Sequence, residues 1–279
     1  MPDTTPPVDL PADAHAPEVA RATAPEVALD TPSSWRADLI AASLFLTRVR
    51  LTRRLGTPSS LTRALRAFPL VGAAIGLAAG LVYWLAAVFG LAPLPAALLA
   101  VGATAWLTGG LHEDGLADCA DGFGGGHDRA AKLAIMRDSR IGSYGVLALT
   151  IGVGLRVAAL AALSPPHGVR ALVAAHAVSR AAMPLLMALL EPARPDGLAA
   201  GLGRPSEFVL AQAVILGVLL CALVTGPFAA IVALSFAALA LAGLETLARC
   251  QIGGYTGDVL GAAQQVSETA ILLALSALW

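Results

Sequence analysis

Phe68-Pro-Leu-Val-Gly-Ala-Ala-Ile-Gly-Leu-Ala-Ala-Gly-Leu-Val-Tyr-Trp-Leu-Ala-Ala-Val-Phe89 is a run of 22 residues without a single charge. Wound as an α-helix it is about 33 Å long, enough to cross the roughly 30 Å hydrocarbon core of a bilayer. Working outward, the pattern recurs at approximately Pro93–Gly110, Ile141–Leu163, Val169–Leu190, Phe208–Thr225, Pro227–Ala248 and Val259–Trp279. The expected fold is all-α, a polytopic transmembrane helical bundle of about seven spans, with six to eight as the range. Ahead of these, Trp35–Thr47 joins a short apolar run to Arg36, Asp38 and the following Arg48. It is too short to span, and is read as an N-terminal interfacial helix.

The whole composition agrees with an apolar solvent: 57% of the 279 residues are hydrophobic and 13% charged. A formal net charge of −1 provides no basic field for nucleic acid, so a nucleic-acid partner is excluded. Cys119, Cys221 and Cys250 are odd in number and widely spaced, which suits neither a disulfide framework nor a tetrahedral zinc site. Residues 1–34 are rich in Pro, Ala, Thr, Asp and Glu without the basic start and apolar core of a signal peptide, and are read as a disordered tail. Residues 35–279 then make up one integral-membrane domain.

Basic residues near membrane ends are retained in the cytoplasm. Arg48, Arg50, Arg53, Arg54, Arg63 and Arg66 precede the first span, whereas the next connection, Gly90–Ala92, has no charge. By alternation the connections carrying Arg129, Lys132, Arg137 and Arg140, then Arg194 and Arg204, then 249–267 all return to the cytoplasmic side. Every polar, motif-like stretch therefore falls on one face.

The richest of these reads Gly109-Gly-Leu-His-Glu-Asp-Gly-Leu-Ala-Asp-Cys-Ala-Asp-Gly-Phe-Gly-Gly-Gly-His127. If the preceding helix continues through it, Asp114, Asp118 and Asp121, spaced by four and three, share one narrow face. Two like charges about 4 Å apart repel by roughly 1 kcal/mol in water and about 4 at an effective dielectric of 20. Crowded carboxylates of this kind call for a cation, and all-oxygen ligands favour Mg²⁺, with Mn²⁺ as a substitute. Phosphoryl chemistry is the natural use. The glycines 122–126 serve either to bring backbone N–H groups to a phosphate or to end the helix. Arg129, Lys132, Arg137 and Arg140 are candidate phosphate ligands that also serve orientation. Arg156 and Arg180 lie inside spans, where cations are costly, and are expected either to face a polar cavity that draws in a polyanion or to be paired structurally. In Gly253-Gly-Tyr-Thr-Gly-Asp-Val-Leu-Gly261, Thr256 or Asp258 caps the last helix or walls the site, with Gln264, Gln265 and Glu268 following on the same helix.

On these residues the chain closely resembles the cobalamin synthase family, the adenosylcobinamide-GDP ribazoletransferases. The resemblance is carried by Gly109-Gly-Leu-His-x-Asp-Gly-Leu-Ala-Asp-x-x-Asp-Gly122, Ile135-Met-x-Asp-Ser-x-Ile-Gly-x-x-Gly145, Ser179-Arg180, and Gly253–Gly261 with Gln265 and Glu268; it runs from about Trp35 to Trp279. It implies a bacterial inner-membrane enzyme with its site toward the cytoplasm. The donor would be adenosylcobinamide-GDP and the acceptor α-ribazole or its 5′-phosphate. Attack by a ribose hydroxyl would release GMP and form adenosylcobalamin or its 5′-phosphate. Mg²⁺ on Asp114, Asp118 and Asp121 would neutralise the diphosphate. Asp138 is the expected general base, with His112 its competitor. The substrate-binding set is Arg129, Lys132, Arg137, Arg140, Arg156, Arg180, Thr256, Asp258, Gln265 and Glu268. The oligomeric state is left open. Asp118-Cys-Ala-Asp121-Gly122 is also similar to the start of the CDP-alcohol phosphotransferase signature, but no Ala-Arg follows it. A transporter, the rival from another class, would show repeated halves, and none is evident.

Overall fold

The computed structural model describes residues 34–49 and 59–279. Its helices are α1 (Trp35–Leu46), α2 (Ser59–Ala64), α3 (Phe68–Val88), α4 (Pro93–Thr108), α5 (Leu111–Gly125), α6 (Arg129–Ile135), α7 (Ser143–Ala161), α8 (Pro165–Leu189), α9 (Leu198–Leu202), α10 (Glu207–Thr225), α11 (Pro227–Ile252) and α12 (Gly257–Leu278). A 3₁₀ turn, Leu65–Ala67, joins α2 to α3. Among the described residues the only β-pairing is an isolated bridge between Pro192 and Tyr255. Residues 1–33 of the expected tail, and Arg50, Arg53 and Arg54, lie outside the described residues. Ser34 belongs to the folded part, where its side chain accepts the Ala37 N–H and caps α1.

Among the described residues six helices are long and apolar enough to cross a membrane: Leu61–Val88, α7, α8, α10, α11 and α12. A seventh arises only if α4 and α5 are taken together, and these meet at 91°. The chain is a multi-pass membrane protein. Its outward surface is apolar: Leu223, Trp106 and Leu239 are 81%, 76% and 74% exposed, as suits side chains solvated by lipid. With 12 residues, α1 is about 18 Å long and too short to span. It is tied down instead by Asp38, fully buried between Arg63 and Arg66, and by the Arg66 guanidinium stacked 4.2 Å above the Trp35 ring.

The expectation that the α4 helix continues into the acidic motif does not hold. α4 ends at Gly109 and Gly110, with φ of 74° and 71°, a left-handed pair that costs little without a Cβ. The helix then restarts at Leu111 in a new direction. The glycine run 122–126 ends this helix, α5 stopping at Gly125 with Gly126 as its extended C-cap.

Inside the bundle α8 and α12 are the most enclosed spans. Lipid tails are as apolar as leucine, so helices in a bilayer associate through close packing of small residues. The contact of α3 with α8 shows this. A Cβ added at Gly72 would sit 2.2 Å from the His176 carbonyl oxygen, and one at Gly76 would sit 2.4 Å from that of Leu172.

Three connections gather on one face. Arg129 Nε donates to the Ile252 carbonyl at 2.7 Å and its Nη2 to that of Ala193. Lys132 Nζ reaches Gln251, and Arg137 pairs with Asp196. Backbone bonds of 2.8 and 2.9 Å join Ala193 to Tyr255 and Tyr255 to Glu191.

Gly76→Ala forces α3 from α8 and is expected to cost about 1–3 kcal/mol. Gly102→Ala on α4, where an added Cβ meets nothing within 4 Å, serves as the control. Thermal unfolding in detergent should show a lower midpoint for the first variant and none for the second.

Candidate active site

α5 carries the three aspartates, and the structure gives them different surroundings. Asp114 is exposed and Asp118 half-buried, and neither makes a hydrogen bond or ion pair with a described side chain. Both line a polar cavity of about 560 Å³ with Arg48, Thr108, Gly110 and Ser139. The α4–α5 bend forms part of this wall, so the turn that breaks the span also opens the space in front of the acids.

Asp121 is used differently. It is buried, and its two oxygens accept the backbone N–H groups of Gly142 at 2.7 Å and Gly145 at 2.9 Å. It thereby satisfies orphan donors at the N-terminus of α7, where the helix dipole favours a negative charge. A Cβ at Gly142 or at Gly145 would stand 2.4 Å from an Asp121 oxygen, so both glycines are needed for the approach. Sequence reasoning placed Asp121 with the metal ligands; the structure turns it away toward α7. Two glycines three apart at a helix start, Gly142-Ser-Tyr-Gly145, were the signal for this cap.

α12 supplies the opposite side. Thr256 caps it by accepting the Val259 N–H at 3.3 Å, and its hydroxyl donates to Asp258 Oδ2 at 3.0 Å. Arg194 Nη2 is 3.7 Å from the same carboxylate. A Cβ at Gly115 would lie 2.8 Å from the Asp258 carbonyl oxygen and one at Gly261 3.2 Å from the Gly115 Cα, so α5 and α12 touch backbone to backbone here. Asp258 therefore stands close enough to Asp114 and Asp118 for the three charges to interact. Among the described residues no three His, Cys, Asp or Glu side chains are drawn together as a ready-made metal cluster.

Below this face lies a buried ionic network. Glu268 accepts from Arg156 at 3.2 Å, Arg180 at 3.0 Å and Gln264 at 2.5 Å. Glu113 accepts from Arg156 at 3.2 Å and from Gln265 at 3.1 Å. Arg156 and Arg180 are each 1% exposed and line neither the acid cavity nor the apolar cavity beside it. Of the two expectations for these arginines, the structure shows the paired one, and the same network takes up Gln265 and Glu268. Glu113 was passed over in the sequence. Two arginines inside apolar spans demand two acids, and that count pointed to it.

The loop cations are also engaged. Arg129 and Lys132 pin α6 to the end of α11, and Arg137 bridges to Asp196. Arg140 Nε donates to Asp138 at 3.0 Å, and this bond holds the Asp138 carboxyl down to about 2. Asp138 does not line the acid cavity, though its neighbour Ser139 does. His112 is buried, with both ring nitrogens lacking a hydrogen-bond partner among the described residues.

The chain is a multi-pass helical membrane protein in which Asp114 and Asp118, unpaired among the described residues, line a cavity at one face. The family model described as Cobalamin-5-phosphate synthase matches residues 38–276, and the chain belongs to that family. Relatives named adenosylcobinamide-GDP ribazoletransferase are 49% identical in Bradyrhizobium diazoefficiens, covering 86% of this chain and 94% of the relative, and 47% identical in Mesorhizobium japonicum, covering 86% and 92%. One from Azorhizobium caulinodans is 46% identical over 85% and 94%. No solved structure matches the chain.

Removing one partner of a buried ion pair leaves the other charge uncompensated, at a cost of roughly 3–5 kcal/mol. Glu268→Leu should therefore lose most folded protein in detergent, whereas Asp118→Asn should unfold like the parent; circular dichroism melts of the purified variants check both.

Proposed function

We propose that the protein is an adenosylcobinamide-GDP ribazoletransferase of the bacterial inner membrane, with its site facing the cytoplasm. It transfers the phospho-cobinamide group of adenosylcobinamide-GDP to α-ribazole or α-ribazole 5′-phosphate and releases GMP, a late step in making vitamin B12. The observation that carries this reading is the pair Asp114 and Asp118, unpartnered among the described residues on a polar cavity in a chain of this family. The basic residues of the connections on the same face support the cytoplasmic orientation.

The donor set fits a hard divalent ion. Mg²⁺ is commonly held by one or two carboxylates, with substrate phosphates and waters completing its shell. Asp114 and Asp118 supply such oxygens, Asp258 is the nearest further carboxylate, and Mn²⁺ would serve as a substitute. Bound there, the ion supplies charge neutralisation for the diphosphate and the departing GMP. Asp121 acts one step back: by fixing the start of α7 it sets where Ser139 and the preceding turn meet the cavity.

Phosphoryl transfer asks mainly for positioning and charge stabilisation, and a strong base is not required. Asp138 is the proposed proton acceptor. Held at about 2 by Arg140, it stays ionised throughout the neutral range and must leave Arg140 to meet a hydroxyl. His112 is the competing acceptor. Arg129, Lys132, Arg137 and Arg140, together with Thr256 and Asp258, are the proposed substrate contacts from the neighbouring connections.

Three measurements test this. Purified enzyme given both half-substrates should release GMP, and a chelator should stop it; release that persists in chelator would remove the metal from the proposal. Asp114→Asn and Asp118→Asn should each lower kcat by at least about 100-fold, equivalent to some 2.7 kcal/mol, with the fold intact. The two acceptors are separated by replacement: Asp138→Asn should lower kcat by at least about 100-fold while His112→Gln leaves it within a few-fold, and the reverse result would move the role to His112.

A further inference from the structure

Beside the acid cavity lies a second, smaller space of about 170 Å³. Phe45, Phe68, Met183, Met187, Leu202 and Leu260 supply most of its wall, and His112, Asp114 and Asp258 also line it. Phe45, Leu111 and Asp114 line both spaces, so the two adjoin at Asp114. The transferase reading uses His112, Asp114 and Asp258 at its edge and leaves the apolar part of the chamber unassigned. We infer that it receives the aromatic base of the acceptor nucleoside, a small apolar bicycle of the benzimidazole type, and so sets which acceptor is used. The inference rests on the proposed transfer to a ribazole, which is a ribosyl benzimidazole.

Size is the first reason. An apolar protein cavity of about 150 Å³ takes up benzene, so 170 Å³ suits one or two fused rings and excludes a corrin macrocycle. Polarity is the second. Most of the wall is apolar, with His112, Asp114 and Asp258 the ionisable side chains among the described residues that line it, so an alkylated benzimidazole buries its rings and methyls there and keeps its one free ring nitrogen for the unpartnered His112 imidazole. The wall suits an aromatic guest in detail. The Phe45 and Phe68 rings stack with centroids 5.7 Å apart, and two methionines offer adaptable thioether contacts. Placement is the third. A base held here puts its ribose at the Asp114 wall, where the hydroxyl must meet the phosphate, and leaves the larger cavity to the donor.

The test is acceptor selectivity, read as kcat/KM for ribosides of dimethylbenzimidazole, benzimidazole, imidazole and adenine at saturating donor. Each methyl removed should lower the value about fourfold, from the transfer free energy of one buried carbon, and adenine should fall well below benzimidazole. Ala199 lines the chamber from α9, and Ala199→Phe should raise the KM for the dimethylbenzimidazole riboside at least tenfold, with the KM for the donor unchanged and the imidazole riboside least affected. Turnover that is indifferent to ring size and methylation, or an Ala199→Phe effect confined to the donor, would overturn the inference and leave the transferase reading standing. GMP release with none of the ribosides would overturn both. The wild-type series keeps the inference falsifiable if Ala199→Phe does not fold.

Discussion

A charge inside a lipid-solvated bundle must be met by an opposite charge, and the rest of this structure depends on how that demand is satisfied. Arg156 on α7 and Arg180 on α8 close on Glu268 of α12, and Arg156 also reaches Glu113 of α5. Two guanidiniums and two carboxylates sum to zero. Because each partner comes from a different helix, neutrality is reached only when four helices meet in one register. Interactions of this kind are weak evidence for stability in water, where an apolar replacement is often as good. Within a membrane bundle they act as a positional lock, since any other register leaves an ion bare in hydrocarbon.

That lock places the chemistry. Glu113 and Asp114 are adjacent on α5, so anchoring the first toward Arg156 turns the second toward the cavity. Gly115 and Gly261 let α5 and α12 approach backbone to backbone, which carries Asp258 beside Asp114 and Asp118. At the other end of α5, Asp121 grips the N-terminus of α7. One short helix is thus held at both ends, and Asp114 and Asp118 are left without partners among the described residues. A motif of three similar aspartates divides into two that face the cavity and one that fixes the scaffold.

Much of this was legible in the residues. Uninterrupted apolar runs located the spans, because a bilayer of fixed thickness imposes a fixed helix length. The spacing of Asp114 and Asp118 marked one helical edge, and the loop arginines marked one face. Three things were not legible. Gly109-Gly110 permits a bend but does not require one, and it is packing of α5 against α7 and α12 that makes it 91°. Asp121 looked like its neighbours until Gly142 and Gly145 were brought to it from 21 and 24 residues away. Arg156 and Arg180 read equally well as a lure for a polyanion and as halves of ion pairs.

By itself, then, the sequence determined solvent, most of the spans and family, since hydropathy, helix length and motif order are local properties that survive without knowledge of neighbours. Only the tertiary structure decided which charges are free and which are spent. Whether a carboxylate binds a substrate's ion or a helix end depends on what lies within about 3 Å of it, and those partners come from helices far apart in the chain.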